Sequence, residues 1–287
     1  VVKRSYTDFF PSGALTYTLN AKNTFNLSYS RRIDRPAYQQ LNPFENKLDE
    51  LTYQKGNAFL NPQYTNSFQL SHTFLYRYVT SISYSHIKDF FAQLIDTLGN
   101  KSFITQKNLA QQNIYSLNIS APVTIAKWWS AFATLNGYHS QYLANFGSGK
   151  TINIAVDAFS VYAQQTFTVK KGPSFELSSF YNSPTVWGGT FKTTGLGFID
   201  VGVQQKVLKS AGTLKLSFTD VFNSLHWKGV SDFGGAHLEA SGHPESQQLK
   251  INFSYRFGNS QVKAARQRKA SLDEENKRLN SSGGIGG

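Results

Sequence analysis

The chain has 287 residues, of which 40% are hydrophobic, 15% aromatic and only 16% charged, with 29 Lys and Arg against 17 Asp and Glu for a net charge of +12. No apolar run approaches the ~18 residues that a membrane-spanning helix needs, so spanning by helices is excluded. The cations are dispersed and form no stripe interleaved with stacking aromatics, so a nucleic-acid partner is not expected.

Strand-like segments are predicted near residues 6–19, 24–32, 63–76, 78–96, 102–124, 128–142, 151–169, 174–182, 193–208, 213–222 and 247–257. Phe25, Leu27 and Tyr29 alternate with Asn26, Ser28 and Ser30, and Ile82 and Tyr84 alternate with Ser81, Ser83 and Ser85. Leu117 and Ile119 alternate with Asn118 and Ser120, Leu216 with Ser217, and Ile251 and Phe253 with Asn252. A period of two gives each strand one dry and one wet face. The wet face carries Ser, Asn, Thr and Gln rather than Lys and Glu, as a wide water-filled lumen would.

Tight turns fall near Asn20–Asn23, Tyr76–Tyr78, Ala126–Lys127, Lys170–Pro173 and Lys209–Gly212. Longer connections fall near Ile33–Pro62, Thr97–Lys101, Leu143–Lys150, Asn182–Lys192 and Asn223–Ser246. Antiparallel strands joined in this alternation put all tight turns at one end and all long loops at the other, the pattern of an outer-membrane β-barrel. A mean hydropathy of −0.37 is compatible with it, because every second strand residue faces water. Each tight turn also carries a cation, namely Lys22, Arg77, Lys127, Lys170 with Lys171, and Lys209. Lys or Arg facing lipid at mid-membrane costs roughly 2–4 kcal/mol but almost nothing at the interface, where anionic headgroups attract it. Trp128 and Trp129 follow the turn at Lys127 and fit an interfacial aromatic girdle.

Eleven strands is an odd number, whereas single-chain bacterial barrels are even. The chain also begins at Val1 and contains no Met. The expectation is therefore all-β: the C-terminal half of an antiparallel transmembrane barrel of about 22 strands, over residues 1–258. Residues 259–287 form a tail, its Ser271-Leu272-Asp273-Glu274 a capping-box pattern for a short helix, frayed in water.

The segment from Ser28 to Pro36 (Ser-Tyr-Ser-Arg-Arg-Ile-Asp-Arg-Pro, with Arg31, Arg32, Asp34, Arg35 and Pro36) is followed by Leu41-Asn42-Pro43-Phe44. Gly56-Asn57-Ala58-Phe59-Leu60-Asn61-Pro62-Gln63-Tyr64-Thr65-Asn66 comes next, with Ser217-Phe218-Thr219-Asp220-Val221-Phe222-Asn223 and Tyr255-Arg256-Phe257-Gly258 near the end. Together these resemble the barrel of TonB-dependent receptors, in the Bacteroidetes-type outer-membrane β-barrel family. Ala58 and Gln63 depart from the residues frequent there, Pro and Glu. The resemblance implies an outer-membrane location with the C-terminus periplasmic, lipid and lipopolysaccharide around the wall, and an N-terminal plug domain upstream. It further implies energy coupling by TonB–ExbB–ExbD, with a surface lipoprotein a further candidate partner, and uptake of a scarce nutrient such as a siderophore, cobalamin, glycan or peptide.

From the residues themselves, Arg31 and Arg32 end a strand where it leaves the membrane. Pro36, Pro43 and Pro62 keep the loop from extending the ladder, and Gly56 and Asn57 suit a turn with positive φ. Tyr53, Trp187, Phe191, Trp227 and Phe233 are loop aromatics, suited to ligand stacking or to packing the loops. His237, Glu239 and His243 share the last long loop, but a metal site needs three or four converging ligands, so neither metal nor cofactor is expected. His72, His86 and His139 fall on strands, as interfacial or lumenal residues. No nucleophile elbow, metalloprotease helix or phosphate loop is present, and catalysis is not expected. A passive porin or structural barrel is the alternative, with an outer-membrane hydrolase behind it.

Overall fold

A computed structural model of the chain describes residues 7–99, 101–145, 151–233 and 236–257. The tail reading over 259–287 and the start of the first predicted strand at Tyr6 lie outside the described residues. In chain order the elements are β1 (Ser12–Asn20), β2 (Asn23–Asp34), α1 (Tyr38–Leu41), β3 (Glu45–Lys47), β4 (Thr52–Lys55), β5 (Gln63–Phe74) and β6 (Tyr78–Leu98). Then come β7 (Lys101–Ala126), β8 (Trp129–Asn145), β9 (Thr151–Thr168), β10 (Ser174–Asn182), β11 (Thr185–Trp187) and β12 (Phe191–Thr193). The last are β13 (Leu196–Val207), β14 (Gly212–Thr219), β15 (Trp227–Phe233), β16 (Ala236–Gly242) and β17 (Gln248–Tyr255).

The main sheet runs β1-β2-β5-β6-β7-β8-β9-β10-β13-β14-β17, so the eleven expected strands are consecutive antiparallel neighbours. The path is open, with β1 and β17 at its two ends. Register confirms the two faces. Leu15, Leu27, Leu70, Ile82 and Leu117 stand opposite one another in a continuous apolar rung. On the other face Thr16, Asn26, Ser71, Ser81, Asn118, Asn136, Ser160 and Asn182 form a polar rung across β1 to β10. Cross-strand hydroxyl pairs add to it, Ser67 with Ser85 at 2.9 Å and Ser83 with Ser116 at 2.6 Å.

The apolar face is bounded by aromatics. Toward the long-loop end Tyr29 lies 4.8 Å from Phe68 and Tyr84 lies 4.9 Å from Tyr115, ring centre to ring centre. The Tyr29 and Tyr84 hydroxyls donate to Asn66 and Asn113 on the neighbouring strands. At the tight-turn end Trp128, Trp129 and Phe167 stack within 5.5–6.2 Å, and the Trp129 indole donates to Gln165 at 3.1 Å. Trp129 and His139, which sits beside Tyr115, are ten residues apart on β8. At about 3.3 Å per residue and a tilt near 45° they are about 23 Å apart along the membrane normal, close to the height of the apolar band of an outer-membrane barrel.

The tight turns fall where the alternation predicts. Asn20 closes the first, its side-chain carbonyl accepting the backbone N–H groups of Lys22 and Asn23 at 2.9 and 3.0 Å. The opposite end departs from expectation in two ways. Thr97–Lys101 is not a loop: β6 and β7 reach Leu98 and Lys101, so these strands of 21 and 26 residues overshoot the sheet. A bulge near Ile87–Phe91 marks where the projecting part begins. The other connections also hold strands. β3 and β4 pair, and β4 runs parallel to β7 through Thr52–Gln54, while β11, β12, β15 and β16 form a separate four-stranded sheet from two different loops. β3, β4, β11 and β12, of three or four residues each, are too short to show a period.

Candidate functional site

Two assemblies gather at the long-loop end. The first is built by the segment from Pro36 to Asn66. Pro36, Leu60 and Pro62 are buried. Gly56 and Asn57 do not occupy positive φ, which corrects the turn expected there. Gly56 is instead a close-approach residue, since a Cβ on it would sit 2.3 Å from the Asn42 carbonyl and 2.6 Å from that of Gln39. Asn57 is a bracket: its backbone N–H donates to the Gln40 carbonyl at 2.7 Å, its side-chain N–H to the Gln106 backbone carbonyl at 3.0 Å, and its side-chain oxygen accepts the Phe59 N–H at 2.9 Å. Asn108 on β7 accepts the Asn61 N–H and returns a bond to the Asn61 carbonyl. The motif thus fastens the first loop to the projecting β6–β7 hairpin.

Of the other motif residues, Arg31 and Arg32 point to opposite faces by strand alternation. Arg31 places its guanidinium 5.4 Å from the Tyr64 ring on the apolar side, and Arg32 is on the lumenal one. Asp34 accepts from Gln63 at 3.0 Å, Arg35 and Pro43 are exposed, and Asn42 accepts the Phe44 N–H at 3.2 Å.

The second assembly is the four-stranded sheet. Its β11–β12 hairpin folds over the polar face, where Val186 packs with Ala92, Leu94, Tyr142 and Ala144 in a small buried core. Tyr142 donates to the Val186 carbonyl at 3.1 Å, Tyr138 bonds the Thr185 hydroxyl at 2.8 Å, and the Thr190 hydroxyl donates to the Gln93 carbonyl at 3.0 Å. Asp220 holds the base of the other loop. Its carboxylate, 2% exposed, accepts the Ser224 and Leu225 N–H groups and the Ser224 and Ser246 hydroxyls at 2.5–3.0 Å. Burial pushes its pKa up, but these donors outweigh burial and bring it down to about 2.

The five loop aromatics separate by role. Tyr53 packs against Phe103 in a tilted arrangement at 5.7 Å, with the Lys101 ammonium 4.7 Å over its ring. Phe191 covers Gly229 and Trp227 covers Gly242 so closely that a Cβ at either glycine would fall 1.9 or 2.3 Å from the ring. The Phe233 side chain lies outside the described residues. Trp187 remains 49% exposed and lines a cavity of about 300 Å³ between the two assemblies. Five glutamines share that lining, and sequence reasoning assigned none of them to a site, since they come from four different elements and form no motif together.

His72, His86 and His139 all stand on the apolar face, the first stacked on Phe25 at 4.6 Å and the last 2.8 Å from Asp157. His237 is hydrogen-bonded to Asp232, which raises its pKa, and Lys228 lowers that of Glu239 from 3.1 Å away. His243 stacks on His226 at 4.1 Å, apart from that group. Among the described residues no three His, Asp or Glu converge as metal ligands would.

Residues 1–255 match the outer membrane protein beta-barrel family, and the chain belongs to that family. Among solved structures, the ferric enterobactin receptor PfeA of Pseudomonas aeruginosa in complex with enterobactin shares the fold, with a TM-score of 0.53 and 12% identity over 86% of this chain and 40% of that one. A second structure of PfeA gives 0.48 and 12% over 75% and 35%, and the FpvAI–pyocin S2 complex 0.48 and 14% over 88% and 33%. The chain spans 40% or less of the length of these receptors. No curated protein matches it. The membership of the outer-membrane β-barrel family drawn from the motifs is borne out, and the protein is an outer-membrane one.

Proposed function

We propose that the chain is the wall and vestibule of an energy-coupled outer-membrane receptor that imports a scarce nutrient. The observation that carries this is the pair of loop assemblies, bonded to the projecting β6–β7 hairpin and to the polar face of the wall at Tyr142. A passive pore would have little use for two such built assemblies at its mouth, whereas a receptor needs a shaped surface on rigid supports.

In this reading the long loops are extracellular, the tight turns and C-terminus periplasmic, and the turn cations meet anionic headgroups. The nutrient is captured between the loops and released inward when a plug domain rearranges under the pull of TonB–ExbB–ExbD. The protein is not a catalyst. Siderophores, cobalamin, glycans and peptides are the cargo classes such a receptor takes. The test is growth of a deletion strain on limiting nutrients, with and without a protonophore. A defect on one nutrient, reproduced in the parent strain by the protonophore, supports coupled import. Uptake indifferent to the proton gradient would replace it with the passive pore.

A further inference from the structure

The cavity between the two loop assemblies has a lining that selects by chemistry. We propose that it binds a neutral pyranose, the terminal residue of an oligosaccharide, with Gln93 and Trp187 as principal contacts. This rests on the receptor reading and supplies its substrate class.

Five glutamines line the space, Gln40 from α1, Gln63 from β5, Gln93 from β6, and Gln106 and Gln112 from β7, and no charged side chain joins them among the described residues. Each amide offers two N–H donors and an acceptor. Gln40 accepts the Ala37 N–H and donates to the Gln106 side-chain carbonyl, both at 2.7 Å. Gln63 donates to Asp34 and accepts the Phe91 N–H, and Gln112 donates to Ser140 at 2.9 Å. That leaves the Gln106 N–H groups, the Gln112 carbonyl and the whole Gln93 amide without a side-chain bond to the described residues. Such surplus capacity in a partly enclosed space wants a ligand that gives and accepts hydrogen bonds at many points, which is what a polyol does.

Aromatic rings provide the complementary surface. Trp187, Phe90 and Phe91 border the same space, and the electron-rich face of such a ring attracts the polarised C–H face of a pyranose. A ferric chelate carrying negative charge would be stripped of water here with no cation among the described lining residues to offset the loss. A peptide bound by strand addition would need a free backbone edge, but the Gln93 N–H already bonds the Gly188 carbonyl at 2.9 Å. Gly188 and Gly189, at φ of 60° and 87°, allow the β11–β12 turn that brings this carbonyl in. At about 300 Å³ the cavity sits at the small end of ligand pockets, suited to a terminal sugar rather than a long chain.

The complete receptor, purified in detergent, is applied to immobilised neutral oligomers of glucose, mannose, xylose and N-acetylglucosamine. Binding to at least one is expected, and it should survive a rise from about 0.05 to 0.5 M NaCl, because no ion pair contributes. Gln93→Ala, whose side-chain amide bonds none of the described residues, should weaken it roughly three- to tenfold, and Trp187→Ala by roughly tenfold or more. Heat-modifiable migration on gels shows that both variants fold. Failure to bind any of these oligomers overturns the proposal, as does binding that neither substitution weakens. Import of the bound oligomer in cells is scored separately. Binding without gradient-dependent import keeps the sugar site and sinks the transporter reading. Gradient-dependent import of another nutrient, indifferent to Gln93→Ala, sinks the site and keeps the transporter.

Discussion

At Gly56 a single methyl group meets two backbone carbonyls, so Gly56→Ala forces α1 away from the re-entering strand. The contacts, at 2.3 and 2.6 Å, are with backbone that cannot swing aside. Overpacking of this kind costs about 1–3 kcal/mol, and here it should appear as tryptic cleavage within residues 36–62. Gly13→Ala is the control, with nothing within 4 Å of the added carbon. Asp220 governs the other assembly. Asp220→Ala removes a buried charged acceptor, at a cost of roughly 1.5–3 kcal/mol per bond lost, and should expose residues 223–246 to protease. Its folded pKa of about 2 lies below the ordinary 3.8, so its stabilising contribution is complete above about pH 4 and fades as pH falls through 2. Loop protection that stays level down to pH 2 in the wild type would contradict this role. Neither residue's part was legible beforehand. Gly56 stood out in its motif, but sequence suggests positive φ for a glycine and cannot show a carbonyl approaching from 14 residues away. Asp220 lay in a motif whose partners, Ser224 and Ser246, only the folded loop brings together.

Neighbouring residues of one strand sit in different solvents, so β7 supplies a paired test. Leu117 lies in the apolar rung with Ile82, and Asn118 in the polar rung with Ser81 and Asn136. Leu117→Arg should cost roughly 2–4 kcal/mol at mid-membrane, while Asn118→Arg should cost little because the lumen is wet. Heat-modifiable migration of each variant in outer-membrane fractions measures the difference, and equal damage from both would count against the assignment of faces. The wall strands were legible because burial on one side imposes a period of two, and slipping the register by one would invert every rung. The strands of the loops escaped notice for the complementary reason. β11 and β12 have three residues each, and β15 gains its cohesion from Phe191 and Trp227 covering Gly229 and Gly242. Such contacts between elements leave no periodic trace. Most of the projecting part of β6 and β7 was legible as strand, and only its tip differs, where Thr97, Leu98 and Lys101 continue the ladder instead of forming a loop.

The main sheet as a whole has an arithmetic that its strands do not. Every step of its path is antiparallel, so the first and eleventh strands, β1 and β17, run in the same direction. Closing them on each other would require a parallel ladder, whereas single-chain bacterial barrels are antiparallel and even-numbered. Among the described residues each end strand therefore carries one neighbour and one row of N–H and C=O groups without a ladder partner. In hydrocarbon each such group costs several kcal/mol, and along strands of nine and eight residues roughly half the backbone would be affected. Both edges also present apolar side chains, Leu15 on β1 and Ile251 on β17, 68% and 70% exposed. A protein consisting of residues 1–257 alone should consequently associate through these edges on refolding in detergent, migrating as oligomers in size-exclusion chromatography. Strands supplied upstream of β1 should restore a monomer, with β17 closing against the first strand of the complete barrel. A monomeric, heat-modifiable species from residues 1–257 by themselves would mean that β1 and β17 do meet, and that the wall closes with an odd number of strands.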